Sequence, residues 1–167
     1  SISLCPEAPR AVVRALEAIR NAEIIVLGPG SLYTSVIPHL LIPEIARAIA
    51  ASKVPRCYVC NIMTQPGETD GYTASQHITA LQGHARQCIG KDAKVVDTII
   101  VNDVLPGKSA LGKYKETGAV PVDVDFAALR QLGIEIIRAN VISDTGIIRH
   151  DPARLARTIV ELTQRGR

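Results

Sequence analysis

The residues best suited to binding an anion follow a short apolar run near the start of the chain. Ile24 to Leu27 are bulky or β-branched, which favours a strand buried on both faces. A turn rich in glycine and hydroxyl groups follows, and such a turn can present bare backbone N–H groups to an anion. An ordinary strand-to-helix turn that needs glycine for a positive φ explains these residues equally well, so this stretch alone leaves both possibilities open. The candidate residues are Gly28, Pro29, Gly30, Ser31 and Thr34.

A second polar loop, with the sequence NIMTQPGETDGYT at 61–73, carries more hydrogen-bonding side chains than a connector needs. Its amides suit a nucleobase or sugar edge, and its backbone around Gly67 suits a phosphate. Glu68 or Asp70 could hold Mg²⁺ through water. A loop whose polar groups satisfy only one another is the alternative, but the number of polar groups favours a binding site. The candidate residues are Asn61, Thr64, Gln65, Gly67, Glu68 and Thr69.

Two further residues could contribute to recognition. Tyr114 lies in a predicted loop flanked by glycines, where its ring could stack on a base or cover the edge of the core. Arg149 precedes the last predicted helix, where it could bind a phosphate bidentately or remain a solvated surface residue. Composition alone does not separate these alternatives.

Other motifs that often mark catalysis are incomplete. The segment NDVLPGKS at 102–109 lacks the first glycine of a phosphate-binding loop, so we predict a solvated turn with Lys108 exposed. His77 and His84 are two turns apart on one predicted helix, too far for a metal pair, and we predict that both lie on its surface. No nucleophile elbow is present. We therefore predict no protein-built metal site and identify no catalytic residue.

The elements that must position these residues alternate between strand and helix. This alternation predicts an α/β, Rossmann-like three-layer fold in one domain, with a mostly parallel sheet flanked by helices and ligands at the strands' carboxyl ends. A single helical turn is predicted at 113–117 and an extended segment at 120–124, and Asp151 should cap the last helix with Pro152 in its first turn. We predict helices at 8–20, 39–52, 71–88, 126–132 and 151–164, and strands at 24–27, 56–62, 95–101 and 134–138.

Composition excludes several classes of function. The 167 residues are 47% hydrophobic and 3% aromatic with a net charge of +3, so no basic, aromatic surface for nucleic acid is expected. No apolar run is long enough to span a membrane. Cys57 and Cys60 form a C-x-x-C within a predicted strand, where neighbouring side chains alternate between faces. We therefore expect reduced, buried thiols and a cytoplasmic location.

Several stretches resemble the 2-phospho-L-lactate transferase-like (CofD-like) family. GPGSLYTS at 28–35 and IPHLL at 37–41 resemble the family as a whole, and NIMTQPGETDGYTA at 61–74 resembles its gluconeogenesis-factor branch. TGAVPV at 117–122 and IIRHDPARLA at 147–156 resemble the C-terminal pattern of that branch. The family's N-terminal glycine-rich loop and acidic segment do not occur, so the resemblance implies the C-terminal half of a longer protein. Gln76 also stands where the family usually has aspartate.

The resemblance implies a Rossmann-like, cytoplasmic regulatory protein that binds a UDP-sugar such as UDP-N-acetylglucosamine. Its implied role is in carbon flux and in cell-wall synthesis or cell shape. Both polar loops would line the nucleotide-sugar cleft, and Tyr114 and Arg149 match positions linked to UDP-sugar binding. The transferase branch implies an alternative, an enzyme that joins a phospholactate unit to a deazaflavin precursor using a nucleotide donor and Mg²⁺. The expected partners are a UDP-sugar or other nucleotide and, for the chain itself, a second copy or the N-terminal half.

Overall fold

The fold is built on a sheet of four parallel strands, as the alternating pattern predicts. In the computed structural model, which describes residues 2–5, 9–143 and 147–165, the strands are β1 (Ile25–Leu27), β2 (Arg56–Val59), β3 (Thr98–Asn102) and β4 (Glu135–Ala139). They lie side by side in chain order, and every neighbouring pair is parallel. All carboxyl ends of the strands therefore meet at one edge of the sheet.

Helices connect the strands and cover both faces of the sheet. The helices are α1 (Val13–Arg20), α2 (Ile37–Leu40), α3 (Pro43–Ala51), α4 (Ala74–Ile89), α5 (Lys108–Lys115), α6 (Phe126–Gln131) and α7 (Pro152–Arg165), with a π-helical turn at Leu32–Val36. Pro43 occupies the first turn of α3, where its missing N–H would be unpaired in any case.

Two apolar clusters lie on opposite faces of the sheet. The larger joins Tyr58 and Ile99 of the sheet to Leu81 of α4 and Leu129 of α6. The smaller joins the other face to α7, through residues such as Leu155. Because both faces are covered, all four residues of β2 are buried, and the strand reads as a continuous apolar run after its arginine. This arrangement confirms the predicted α/β class.

A third cluster sits at the carboxyl edge of the sheet. It contains Ile62 and Met63, which follow β2, together with Ala119, Ile142 and Ile148. Leu111 and Tyr114 of α5 pack against it. This cluster supports the loops in which the candidate residues lie.

Several predicted boundaries are wrong. Helix α4 begins at Ala74 rather than at Gly71, because Thr73 and Gln76 form a reciprocal capping box at its start. The predicted loop and single turn around residue 110 form one helix, α5, in which Gly112 is tolerated. Helix α1 begins only at Val13, since Val12 is extended. Strands β2 and β3 are shorter than predicted. The sequence also predicts a turn at Ser143 to Gly146, and all of it except Ser143 lies outside the described residues.

Other predictions hold. Asp151 caps α7 by accepting a hydrogen bond from the Arg154 N–H at 2.8 Å, and Pro152 is the first helical residue. Cys57 and Cys60 are free, buried thiols that belong to the clusters on opposite faces of the sheet. Burial raises the pKa of each thiol to about 12, so neither forms a reactive thiolate near neutral pH. No helix in the described part of the chain is long and apolar enough to cross a bilayer.

Candidate functional site

The two candidate loops lie side by side at the carboxyl ends of β1 and β2. The Gln65 amide joins them, because its Nε2 donates to Ser31 Oγ at 2.7 Å. Its Oε1 accepts from Asn61 Nδ2 at 3.3 Å. Because β1 and β2 are parallel neighbours, the turns that leave them had to face one another, and the Gln65 bridge holds them in register.

The first turn is shaped by close backbone approach. Gly28 has a φ of +83°, and a Cβ there would lie 3.2 Å from the Val59 carbonyl oxygen. A Cβ on Gly30 would lie 3.3 Å from Ser35 Cβ, so this position is also tight. Within the described residues, the backbone N–H groups of Gly30 and Ser31 have no acceptor. These two groups remain available to a ligand.

Some polar groups of the second loop form hydrogen bonds with other residues of the same loop. Thr69 is fully buried, and its Oγ1 accepts from the Gln65 N–H at 2.8 Å. The Asp70 carboxylate accepts from the Gly67 N–H at 2.7 Å. Thr64 pairs with Val120, accepting at Oγ1 and donating through its own N–H. The alternative of a self-satisfied loop therefore describes Thr69 and Asp70, whereas Asn61 and Gln65 face the gap between the loops.

The gap is a cleft of about 680 Å³, within the size range of small-molecule sites. Its lining includes eight of the predicted residues: Pro29, Gly30, Ser31, Asn61, Thr64, Gln65, Tyr114 and Arg149. Five predicted residues do not line it: Gly28, Thr34, Gly67, Glu68 and Thr69. Gly28 lets the turn approach the Val59 carbonyl closely without lining the cleft, and Thr34 is exposed to solvent.

Tyr114 and Arg149 also line the cleft, although they lie far along the chain from the two loops. Tyr114, for which the sequence predicts a glycine-flanked loop with one helical turn, lies in the longer helix α5, and its hydroxyl donates to the Ile148 carbonyl at 3.3 Å. This contact ties α5 to the segment that carries Arg149. The Arg149 side chain is exposed and has no hydrogen-bond or ion-pair partner in the described part of the chain.

Sequence reasoning missed His150, which lines the cleft beside Arg149. Its Nε2 lies 3.2 Å from the Cys60 carbonyl oxygen, so this nitrogen carries the proton and donates. Burial lowers its pKa, and a neutral ring follows at neutral pH. The sequence feature that could have identified His150 is its place in the IIRHDP motif, next to the predicted site residue Arg149. Thr117 and Ala119 also line the cleft, and they lie in the TGAVPV stretch whose resemblance to the family is described above.

Aromatic rings pack behind the first turn. The Tyr58 ring lies 3.7 Å from the position of a Cβ on Gly28 and stacks on His77 with centroids 6.2 Å apart. The prediction of a surface position for His77 is therefore wrong: α4 turns this side chain toward the sheet, and it is fully buried. Burial lowers its pKa, and its Nδ1 donates to the Thr73 carbonyl at 2.9 Å. His84 is half-buried and lies edge-on to Tyr33.

The electrostatics of the cleft favour an anion. Arg149 contributes a positive charge to the lining, and none of the described residues that line the cleft carries a carboxylate. Glu68 turns away, with one carboxylate oxygen buried and unpaired within the described residues. In the same part of the chain no group of three His, Cys, Asp or Glu side chains could hold a metal ion. Mg²⁺ held through water by Glu68 or Asp70 together with a bound nucleotide stays a prediction.

Comparison with known proteins identifies related chains. Residues 1–142 match the family described as 2-phospho-L-lactate transferase CofD. The chain is 43% identical over 162 residues to a protein from Nostoc sp., covering 96% of the chain and 34% of that protein. It is 38% identical over 162 residues to the gluconeogenesis factor of Bacillus subtilis, covering 96% of the chain and 49% of that protein.

A solved structure shows the same architecture. The crystal structure of a UPF0052 family member from Bacillus halodurans superposes with a TM-score of 0.82 at 41% identity, covering 90% of this chain and 47% of that one. The chain thus spans about a third to a half of the length of these relatives. The stretch that it matches lies in the C-terminal half of the gluconeogenesis factors. On this match of sequence and architecture, the chain belongs to the 2-phospho-L-lactate transferase CofD family, in its gluconeogenesis-factor branch.

Proposed function

We propose that the cleft binds a nucleotide sugar such as UDP-N-acetylglucosamine, and that the protein containing this chain regulates carbon flux and cell-wall synthesis or cell shape. The observation that carries the proposal is the make-up of the cleft. Gly30 and Ser31, whose N–H groups have no acceptor within the described residues, line a cavity together with Arg149, and no carboxylate of the described residues lines it.

A diphosphate is the group that best uses these donors. Backbone N–H groups in a glycine-rich turn bind phosphate oxygens, and a guanidinium pairs with them bidentately. An uncharged ligand would leave the Arg149 charge without a counter-ion. A carboxylate ligand would use the guanidinium but would leave much of the 680 Å³ cleft unfilled.

The remaining groups suit the organic parts of such a ligand. Asn61 and Gln65 present amides, which can both donate and accept and so match a uracil or sugar edge. The Tyr114 ring offers an apolar face for stacking. If the ligand replaced the hydrogen bond between Gln65 and Ser31, the two turns could move apart or together, and binding would be coupled to their spacing.

The relatives support the metabolic part of the proposal. The Bacillus subtilis protein is called a gluconeogenesis factor, a name that refers to carbon flux rather than to a reaction. The role in cell-wall synthesis or cell shape is the one that the resemblance of the loop motifs implies. It belongs to the whole protein, of which this chain matches a part.

Calorimetric titration of the full-length protein with UDP-N-acetylglucosamine tests the proposal. We expect binding without Mg²⁺ and without turnover. Arg149→Ala should raise the Kd roughly tenfold or more, since a hydrogen bond to a charged group contributes ~1.5–3 kcal/mol. The matched control is Arg86→Ala, which removes an exposed arginine of α4 outside the cleft and should leave the Kd unchanged. Absence of binding by the wild-type protein would overturn the proposal.

A transferase is the second candidate, because the matched family is described by that activity. Its distinguishing property would be binding of GTP that requires Mg²⁺. The same titration with GTP, with and without Mg²⁺, therefore separates the two functions. Strictly Mg²⁺-dependent GTP binding together with silence toward the UDP-sugar would favour the enzyme.

A further inference from the structure

A second cavity lies beside the cleft, at the carboxyl ends of β2, β3 and β4. Its volume is about 280 Å³, below the roughly 300–1,000 Å³ of sites that hold a whole drug-sized ligand. Asn61 and Ile62 line both cavities. A ligand that extends past Asn61 would therefore reach from the cleft into this smaller pocket, which we call the side pocket.

Backbone hydrogen bonds hold the segments that form the wall between the cleft and the side pocket. The Val122 N–H donates to the Ile62 carbonyl at 3.0 Å, and Met63 pairs with Pro121 in an antiparallel bridge. These contacts hold the 120–122 segment against the residues that follow β2. The side pocket is thus bounded on one side by paired backbone, and its shape depends on the fold rather than on a single rotamer.

The charges of the two cavities differ in sign. Asp103 and Asp123 line the side pocket, and neither carboxylate has a hydrogen-bond or ion-pair partner in the described part of the chain. The one guanidinium in its lining, that of Arg138, lies over the Phe126 ring at 5.4 Å from the centroid. Two carboxylates against one cation disfavour a phosphate in this pocket. The cleft has Arg149 and no carboxylate among its described lining residues, and it favours a phosphate.

Carboxylates that lie beside apolar side chains are suited to the hydroxyl groups of a sugar. A carboxylate can accept hydrogen bonds from two neighbouring hydroxyls, and charge-assisted bonds of this kind are stronger than neutral ones. The wall also contains Val101, Val124 and the Phe126 ring, which can pack against the C–H face of a sugar ring. An apolar ligand would leave both carboxylates desolvated without compensation.

We propose that the side pocket binds the sugar ring of the nucleotide sugar, with Asp103 and Asp123 accepting hydrogen bonds from its hydroxyls while the diphosphate stays in the cleft. The inference rests on the proposed function and extends it, because it assigns the two ends of the ligand to two cavities. It makes the side pocket the part of the protein that distinguishes a UDP-sugar from UDP.

The test compares two ligands on the full-length protein by calorimetry, UDP-N-acetylglucosamine and UDP. The double variant Asp103→Asn/Asp123→Asn keeps the shape of both exposed side chains and removes their charge. We expect it to raise the Kd for the UDP-sugar roughly tenfold and to change the Kd for UDP by less than about twofold. The matched control, Asp92→Asn, removes an exposed carboxylate outside both cavities and should change neither Kd.

The outcomes separate this inference from the function on which it rests. An equal loss of affinity for both ligands would assign the side pocket to the ribose and overturn the inference. Unchanged binding of the UDP-sugar by the double variant would overturn it as well, while the proposed function stands. If the wild-type protein bound neither ligand, the proposed function and the inference would both fail.

Discussion

At the scale of single residues, the Arg56 side chain joins three segments away from the cleft. It is only 9% exposed, and its Nε and Nη2 each donate to one oxygen of the Asp97 carboxylate at 2.7 Å. Its Nη1 donates to the carbonyls of Ala50 and Lys94. One guanidinium therefore joins the amino end of β2, the end of α3 and the segment before β3.

We expect Asp97→Asn to lower the free energy of unfolding by about 2–3 kcal/mol at pH 7, because it leaves a nearly buried guanidinium without its counter-charge. Urea denaturation measures this change. Asp92→Asn, at an exposed site, serves as the control and should stay within about 0.5 kcal/mol of wild type. Equal effects of the two substitutions would show that the ion pair contributes nothing.

The same pair predicts a pH dependence. Burial opposes ionisation of Asp97, but hydrogen bonds from Arg56 and Lys94 outweigh it and lower the pKa below the ordinary 3.8. A carboxyl whose pKa is lower in the folded state stabilises the fold above 3.8, and this contribution is lost as the pH falls through the folded-state pKa. The difference in the free energy of unfolding between wild type and Asp97→Asn should therefore become smaller below pH 3.8.

At the scale of elements, α4 is anchored at its start by two separate segments. The Thr73 and Gln76 capping box satisfies backbone donors of the first turn. The Asp125 carboxylate, from the segment before α6, accepts from Thr73 Oγ1 at 2.8 Å and from the Ser75 N–H at 2.9 Å, and it also bonds Ser75 Oγ. Because α4 follows the second loop directly, this anchor also holds one end of that loop.

Thr73→Ala removes both the cap and the contact with Asp125, and we expect a loss of about 1–2 kcal/mol in the free energy of unfolding. Thr79→Ala is the matched control, since Thr79 is an exposed position within the same helix whose hydroxyl bonds only the Ser75 carbonyl. Alanine is the better helix former, so this control should be neutral or slightly stabilising. Thermal or urea unfolding compares the two variants, and similar losses would contradict the assigned role of Thr73.

At the scale of the whole molecule, β1 and β4 are the two edge strands of the sheet, and β1 is the shorter one. It has three residues, and among the described residues only β2 pairs with it. On the face that α7 covers, Ile24 and Val26 are only partly buried. An unpaired strand edge beside apolar side chains favours association with another strand.

We therefore expect the isolated 167-residue chain to associate, either with itself or with the N-terminal half of the relatives supplied as a separate chain. Light scattering coupled to size exclusion measures the mass directly. Substitution of Val26 by lysine places a charge at this edge and should weaken the association. This expectation would be contradicted if the unmodified chain remained a stable monomer and did not bind the N-terminal half.

The sequence by itself determined the alternation of strands and helices, and therefore the parallel sheet and the edge where its loops meet. Those features follow from local periodicity and from turns such as the one at Gly28, which a single stretch of chain specifies. Only the tertiary structure decided which loop residues face the cleft. Thr69 turned inward to cap its own loop, His77 was buried by the packing of α4, and His150 reached the cleft through a bond to the Cys60 carbonyl. The positions of His77 and His150 depend on contacts between distant segments, which spacing along the chain does not encode. The bond between Thr69 and Gln65 is local, but the loop offers several polar side chains, and the sequence does not indicate which of them forms it.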